Sequence, residues 1–157
     1  MKQKLKYTFS LVFGIMVFQF WCLVHPYILT FHEQNQLFLF TADYWAQRIA
    51  VAGGFADYLG EFLVQFFFYP AAGAAIVAVL LTSIQLLTWD LARHYNSSYV
   101  LSFLPALLLL ALMGDENTLL SYPVSILLVL LISLICTKIG KTIVNIVAIA
   151  ASYWLVG

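Results

Sequence analysis

Residues 66–89 read FFFYPAAGAAIVAVLLTSIQLLTW, a run without a single formal charge. As a helix it would extend about 36 Å, enough to cross the roughly 30 Å hydrocarbon core of a bilayer. Its opening is built of small residues. Ala71, Ala72, Gly73, Ala74 and Ala75 would let another helix come close to the backbone, so Ala71, Gly73 and Ala75 are the expected contacts for other membrane helices.

Four more apolar stretches flank this one, over residues 7–31, 99–113, 119–136 and 143–157. The stretch 99–113 has only fifteen residues, about 22 Å of helix. Composition agrees with a chain made of such segments: 64% hydrophobic, 17% aromatic and 9% charged, with a mean hydropathy of +0.97. A soluble domain carries roughly 25% charged residues, and this chain has too few to clothe a surface in water. The expected fold class is therefore all-α: a polytopic membrane helical bundle of five transmembrane spans, forming one transmembrane domain over residues 1–157. The bilayer is its first partner, and no nucleic-acid partner is expected. The last stretch is still apolar at Gly157 and carries no charged anchor, so the chain reads as the N-terminal part of a longer protein.

The placement of charge gives an orientation. If the five segments alternate, Lys2, Lys4, Lys6, Arg93, Lys138 and Lys141 share one face and Arg48 alone lies on the other. Basic residues collect on the cytoplasmic side, which puts the N-terminus inside and residues 32–65 and 114–118 outside. For a bacterial protein this means the inner membrane. The lysines before the first apolar run resemble the start of a signal peptide. That run is too long for a cleavable one and ends in no small-x-small site, so it reads as an uncleaved anchor, loosened near its outer end by Pro26. Asn96-Ser97-Ser98 has the spacing of a glycosylation sequon but falls on the inner face. Cys22 and Cys136 sit in apolar runs and read as packing residues.

The outer segment 32–65 has its own pattern. Thr41 is placed to cap a helix with Asp43 in its first turn, and Gly53-Gly54 would end it. Beyond the glycines, Asp57, Glu61 and Gln65 recur at helical spacing among Leu59, Phe62 and Phe66. Two interfacial helices joined by a glycine hinge are expected in this first external loop.

Chemistry concentrates in three places. His32-Glu33-Gln34-Asn35-Gln36 is the densest polar cluster, yet Gln36 stands where a zinc-protease motif needs a second histidine. It is either the end of a helix satisfying exposed carbonyls or a ligand-contacting turn. Asp57 and Glu61 lie one turn apart, on the wet face of an interfacial helix or facing a polar ligand. Asp115 and Glu116 occupy the tip of a hairpin whose first arm is short. Either Tyr95–Ser98 snorkel inward or the tip lies slightly below the outer headgroups, so the pair is a candidate site or simply the polar turn a hairpin needs. Asp90 and Arg93 form an expected surface pair on the inner side.

At FHEQNQLFLFTADYW (31–45) and GGFADYLGEFLVQFFFYP (53–70) the chain resembles an uncharacterised family of bacterial multi-pass membrane proteins, a domain of unknown function. The likeness covers nearly the whole chain, and members look longer. A second resemblance is architectural. One span, a long external loop with interfacial helices and an acidic residue just past the membrane, then an acidic turn between spans three and four, is similar to polytopic glycosyltransferases that use lipid-linked sugars. That resemblance implies Glu33 as base or cation ligand, Asp115 or Glu116 as the second acidic group, and a divalent cation as the candidate cofactor. Under it Glu33, Asp115 and Glu116 are the candidate catalytic residues, and His32, Gln36, Asp57 and Glu61 would bind a lipid-linked polar substrate. The paired DxD-type motif of those enzymes is missing. The alternative is a non-enzymatic assembly subunit of an envelope membrane complex. A transporter ranks third, with His25 the one ionisable candidate inside a span.

Overall fold

The computed structural model describes residues 3–95, 97–115, 117–140 and 142–157. It is 84% helical, and no strand occurs among the described residues. The all-α expectation therefore holds. Helix α1 (Gln3–Gln19) runs into a wider π-helical turn, Phe20–Val24, and stops at His25. Helix α2 (Pro26–Asn35) restarts at once, followed by α3 (Ala42–Ile49) and α4 (Gly54–Val64). A 3-10 turn, Gln65–Phe68, leads into α5 (Pro70–Ala92). Another, Tyr99–Phe103, leads into α6 (Leu104–Leu112), and α7 (Ser121–Ile139) and α8 (Thr142–Val156) complete the chain.

Three helical stretches are long and apolar enough to cross a membrane: Lys4–Val24, Pro70–Ala92 and Ser121–Ile139. The other two of the five expected spans are shorter apolar helices, Tyr99–Leu112 and Asn145–Val156. The first stretch also ends sooner than the apolar run to residue 31 suggested. Pro26 has no N–H to give, and its ring keeps the preceding residue out of helical geometry. His25 accordingly sits at φ −129°, ψ 46°, and its N–H bonds back to the Phe20 carbonyl at 3.2 Å. The break carries His32, Glu33, Gln34 and Asn35 onto α2 rather than into a loop.

Helix α5 forms the centre. Gly73, Ala74, Val77, Ala78, Leu80, Leu81, Ile84 and Gln85 are buried along its length, spaced at three and four residues. Helices α1, α2, α6 and α7 pack around it. Of its most apolar window 44% is buried, against 17% for α1 and 11% for α7, so the outer helices turn most of their apolar surface outward. Leu11, Met16, Leu23, Val79, Leu108 and Ile135 are all exposed. A continuous apolar exterior of this extent is what a bilayer or a partner would cover.

The two helices expected within 32–65 are present. Thr41 caps α3, its hydroxyl accepting the Tyr44 N–H at 3.2 Å. Gly53 adopts φ +83° at the hinge, and its N–H donates to the Trp154 carbonyl of α8 at 3.0 Å. Helix α4 lies against α7 at Gly60, where a Cβ would fall 2.7 Å from the Ser121 nitrogen and 2.9 Å from its Cα. Backbone cannot yield as a flexible side chain can. Gly60→Ala should force the two helices apart and cost about 1–3 kcal/mol. Thermal unfolding in detergent would show this as a clearly lowered midpoint, and an unchanged midpoint would remove the close approach from the account.

Candidate functional site

The break at His25 aims one face of α2 into the protein. Ile28, Leu29, His32 and Gln36 are buried on that side, and His32 is 1% exposed. Its ring stands edge-on to Phe67, 6.4 Å between centroids. Its Nε2 lies 3.4 Å from the carbonyl of Met113, 81 residues away at the end of α6. The last carbonyls of a helix have no partner within it, and a ring N–H at Nε2 would supply one from outside. Glu33 is half-buried on the same turn, and its carbonyl accepts the Gln36 N–H at 3.4 Å.

Asp115 is exposed at the hairpin tip. Its Oδ1 accepts the Asn117 N–H at 2.9 Å and the Asn117 side-chain amide at 3.0 Å. These bonds, the backbone one first, hold its carboxyl below the ordinary carboxylate range, and positive charge on His32 adds to the effect. The His32 side chain of α2 thus meets the turn that carries Asp115. Glu116 lies outside the described residues, as do Lys2, Asn96 and Lys141. Beside this junction a cavity of about 410 Å³ opens between the chain break and the hairpin, lined by Phe20, His25, Tyr27, Leu107, Leu110 and Gly114 among others. His25 Nδ1 and the Tyr27 hydroxyl are 3.2 Å apart at its edge.

The second acidic pair is arranged differently. Glu61 is bound by the Arg48 guanidinium and by the Tyr44 hydroxyl, both from α3 across the glycine hinge. Arg48 Nε also donates to the Tyr44 oxygen at 3.1 Å. Burial and the bond to Glu61 push the Tyr44 phenol up from its usual value. Asp57 is half-buried one turn earlier and contributes its charge to Arg48. Gln65 donates from Nε2 to the Gln36 carbonyl at 3.1 Å, tying α4 to the end of α2. Phe38, packed edge-on against Tyr58 at 4.9 Å and Phe62 at 5.6 Å, pins the connecting strand of chain to the same helix. Sequence reasoning missed Arg48 and Gln65. The signal for Arg48 was its isolation as the one basic residue among the acids of residues 32–65.

Small residues at the start of α5 divide their work. Gly73 is filled from within the chain, since a Cβ there would meet the Phe67 ring at 3.0 Å. Ala71 and Ala75 remain exposed, one turn apart. Among the described residues no group of three or more His, Cys, Asp or Glu side chains is placed to hold a metal ion.

Replacing Arg48 by Met leaves Glu61 mostly buried without its cation. The pair is partly exposed, 38% and 14% by side chain, so the cost should be about 1–2 kcal/mol rather than that of a fully buried pair. Guanidinium or thermal melts in detergent would measure it, with Glu61→Gln the milder change. Acid should act separately on the hairpin. Because the folded Asp115 carboxyl titrates below 3.8, its stabilising bonds are complete above that pH and disappear as pH falls through the lower folded value. Chemical-shift titration of the Asn117 amide should report that loss, and an Asp115→Asn chain should lack the transition.

Comparison with curated proteins and with solved structures finds no significant match. A family model matches residues 2–157, essentially the entire sequence. The chain therefore belongs to a family of unknown function (DUF6057).

Proposed function

We propose that this chain is the membrane-embedded module of a polytopic enzyme that handles a lipid-linked sugar, or a related polar lipid, at the outer face of the bacterial inner membrane. One observation carries the reading. The His32-Glu33 turn of α2 and the Met113–Asp115 turn, far apart in sequence, meet where a cavity opens beside them. The reading takes Glu33, next to His32 on that turn, to face the acidic hairpin, an arrangement that suits transfer from a phospholipid-bound sugar.

In this reading the chain crosses the bilayer five times with its N-terminus inside. The short Tyr99–Leu112 helix holds the hairpin tip slightly below the outer headgroups. Glu33 serves as general base or cation ligand, and Asp115 with Glu116 supplies the second acidic group. Gln36 and Asp57 line the approach. His32, spent on the Met113 carbonyl, positions the hairpin. Glu61, held by Arg48, fixes the two loop helices that wall the site. A divalent cation would add Lewis acidity between the acidic turns. The apolar cavity walls, with His25 and Tyr27 at the edge, suit the first isoprene units of a polyprenyl phosphate.

A non-enzymatic assembly role draws on the exposed Ala71 and Ala75, which offer a partner helix a close approach. Membranes containing the full-length protein, supplied with radiolabelled polyprenyl-phosphate sugar, separate the two. Glu33→Gln should lower turnover by about 10²-fold or more at unchanged protein level, the scale of a lost general base. Wild-type turnover in Glu33→Gln and Asp115→Asn, together with its loss in Ala75→Leu, would replace the enzyme by the assembly subunit.

A further inference from the structure

A second polar cavity lies at the other end of α5, a helix length away from Phe67. It measures about 390 Å³, and Lys6, Leu86, Trp89, Asp90, Arg93 and Tyr99 form much of its wall. From this geometry we infer a binding site for an anionic phosphate headgroup, one with no cation of its own, independent of the outer site and of the function proposed for it.

The cation in this cavity is held in place before any ligand arrives. The Lys6 ammonium stands 3.6 Å from the centre of the Trp89 ring and 5.6 Å from that of Tyr99. An aromatic face offsets part of an ammonium's desolvation and leaves the N–H donors that point away from the ring unspent. Those donors remain available to an anion. The backbone beneath it is fixed too. Tyr99 donates its hydroxyl to the Lys6 carbonyl at 2.6 Å, and the Tyr99 hydroxyl oxygen lies 2.8 Å from that of Ser10. Ser10 donates to Gln85 at 2.6 Å, and Gln85 donates to Ser102 at 2.8 Å, all buried. This network locks α1, α5 and the Tyr99–Phe103 turn in one register. An ordinary surface lysine must surrender rotamer freedom to bind, whereas this one has already surrendered it.

Arg93 supplies the second cation. It contacts Asp90 through a single Nη2–Oδ1 approach of 2.7 Å and stays 47% exposed, so most of its five donors are unspent. The wall carries two cations against one carboxylate, a net positive charge. Leu86 gives the cavity an apolar side, which a glycerophospholipid fills and a free phosphate ion does not. Basic pockets between apolar helices take anionic headgroups for these reasons.

Native mass spectrometry of the full chain in detergent tests this, with phosphatidylglycerol, phosphatidylcholine and inorganic phosphate offered separately. Phosphatidylglycerol should be retained over phosphatidylcholine, and Lys6→Gln should lower its retention about fivefold, the scale of one basic residue at a membrane surface. Arg93→Gln, at the residue that ends α5, should act in the same direction. Lys6→Arg should restore retention, and Lys138→Gln, a basic residue outside the cavity, should leave it unchanged. Displacement of the lipid by inorganic phosphate would assign the site to the free anion, and resistance to displacement to the lipid. Equal retention of the two lipids overturns the inference. So does undiminished phosphatidylglycerol binding in a Lys6→Gln chain whose circular dichroism matches the parent.

Discussion

A missing N–H at Pro26 sets the direction of everything that follows it. A continuous helix from Lys4 to Asn35 would carry His32 and Glu33 straight on along the axis of α1, away from the hairpin. The proline prevents this, and the preceding turn widens so that the Phe20 carbonyl takes the His25 N–H. Helix α2 then leaves at a new angle and lays Ile28, Leu29 and His32 against the 3-10 turn that begins α5. Without the break there would be no contact between His32 and Met113, and the two polar turns would have no reason to meet.

The loop helices α3 and α4 hold that junction from the side. Their hinge needs Gly53 at a positive φ, and their pairing needs Arg48 to reach Glu61 across it. Aromatic edges do the remaining packing, with Trp45 against Tyr58 at 4.5 Å as the tightest of these contacts. Helix α8 joins the same assembly through the Gly53 N–H. This end of the protein is thus a braced platform rather than a flexible loop. Such a platform is what a site needs if acidic side chains are to keep their spacing.

Much of this was legible in the sequence where the controlling physics is local. Thr41 announced the start of α3, Gly53-Gly54 the hinge, and the charge-free run after Pro70 the central helix. Each depends on a residue and its near neighbours. Span counting was less reliable, because an apolar run does not state its pitch. Residues 99–103 coil as a tighter 3-10 turn, and α6 proper is nine residues long. The break at Pro26 read as a loosened last turn, since whether a proline bends or ends a helix depends on what receives the next segment. The pairing of Arg48 with Glu61 was invisible for another reason. Asp57 and Glu61 looked like a like-charge face, and only the fold of the hinge brings the cation over it. The contact between His32 and Met113 depends on the packing of three helices, and no spacing rule encodes it.

The two ends of α1 explain why the distortion falls where it does. At one end Ser10 is tied to Gln85 by a buried hydrogen bond that an apolar surrounding makes expensive to break, and the Lys6 carbonyl to Tyr99 by a part-buried one. At the other, α2 is tied by His32 and by Gln65 bonding to Gln36. Both anchors fix a register against α5 and its preceding turn, so the chain between them cannot slide to relieve a mismatch. What remains free to adjust is the stretch from Phe20 to His25, and that stretch takes up the π turn and the non-helical residue. A wider turn costs hydrogen-bond geometry, and the cost is placed beside the cavity lined by His25 and Tyr27. The turn that widens ahead of Pro26 and the opening next to the two polar turns are therefore neighbouring features of one chain break.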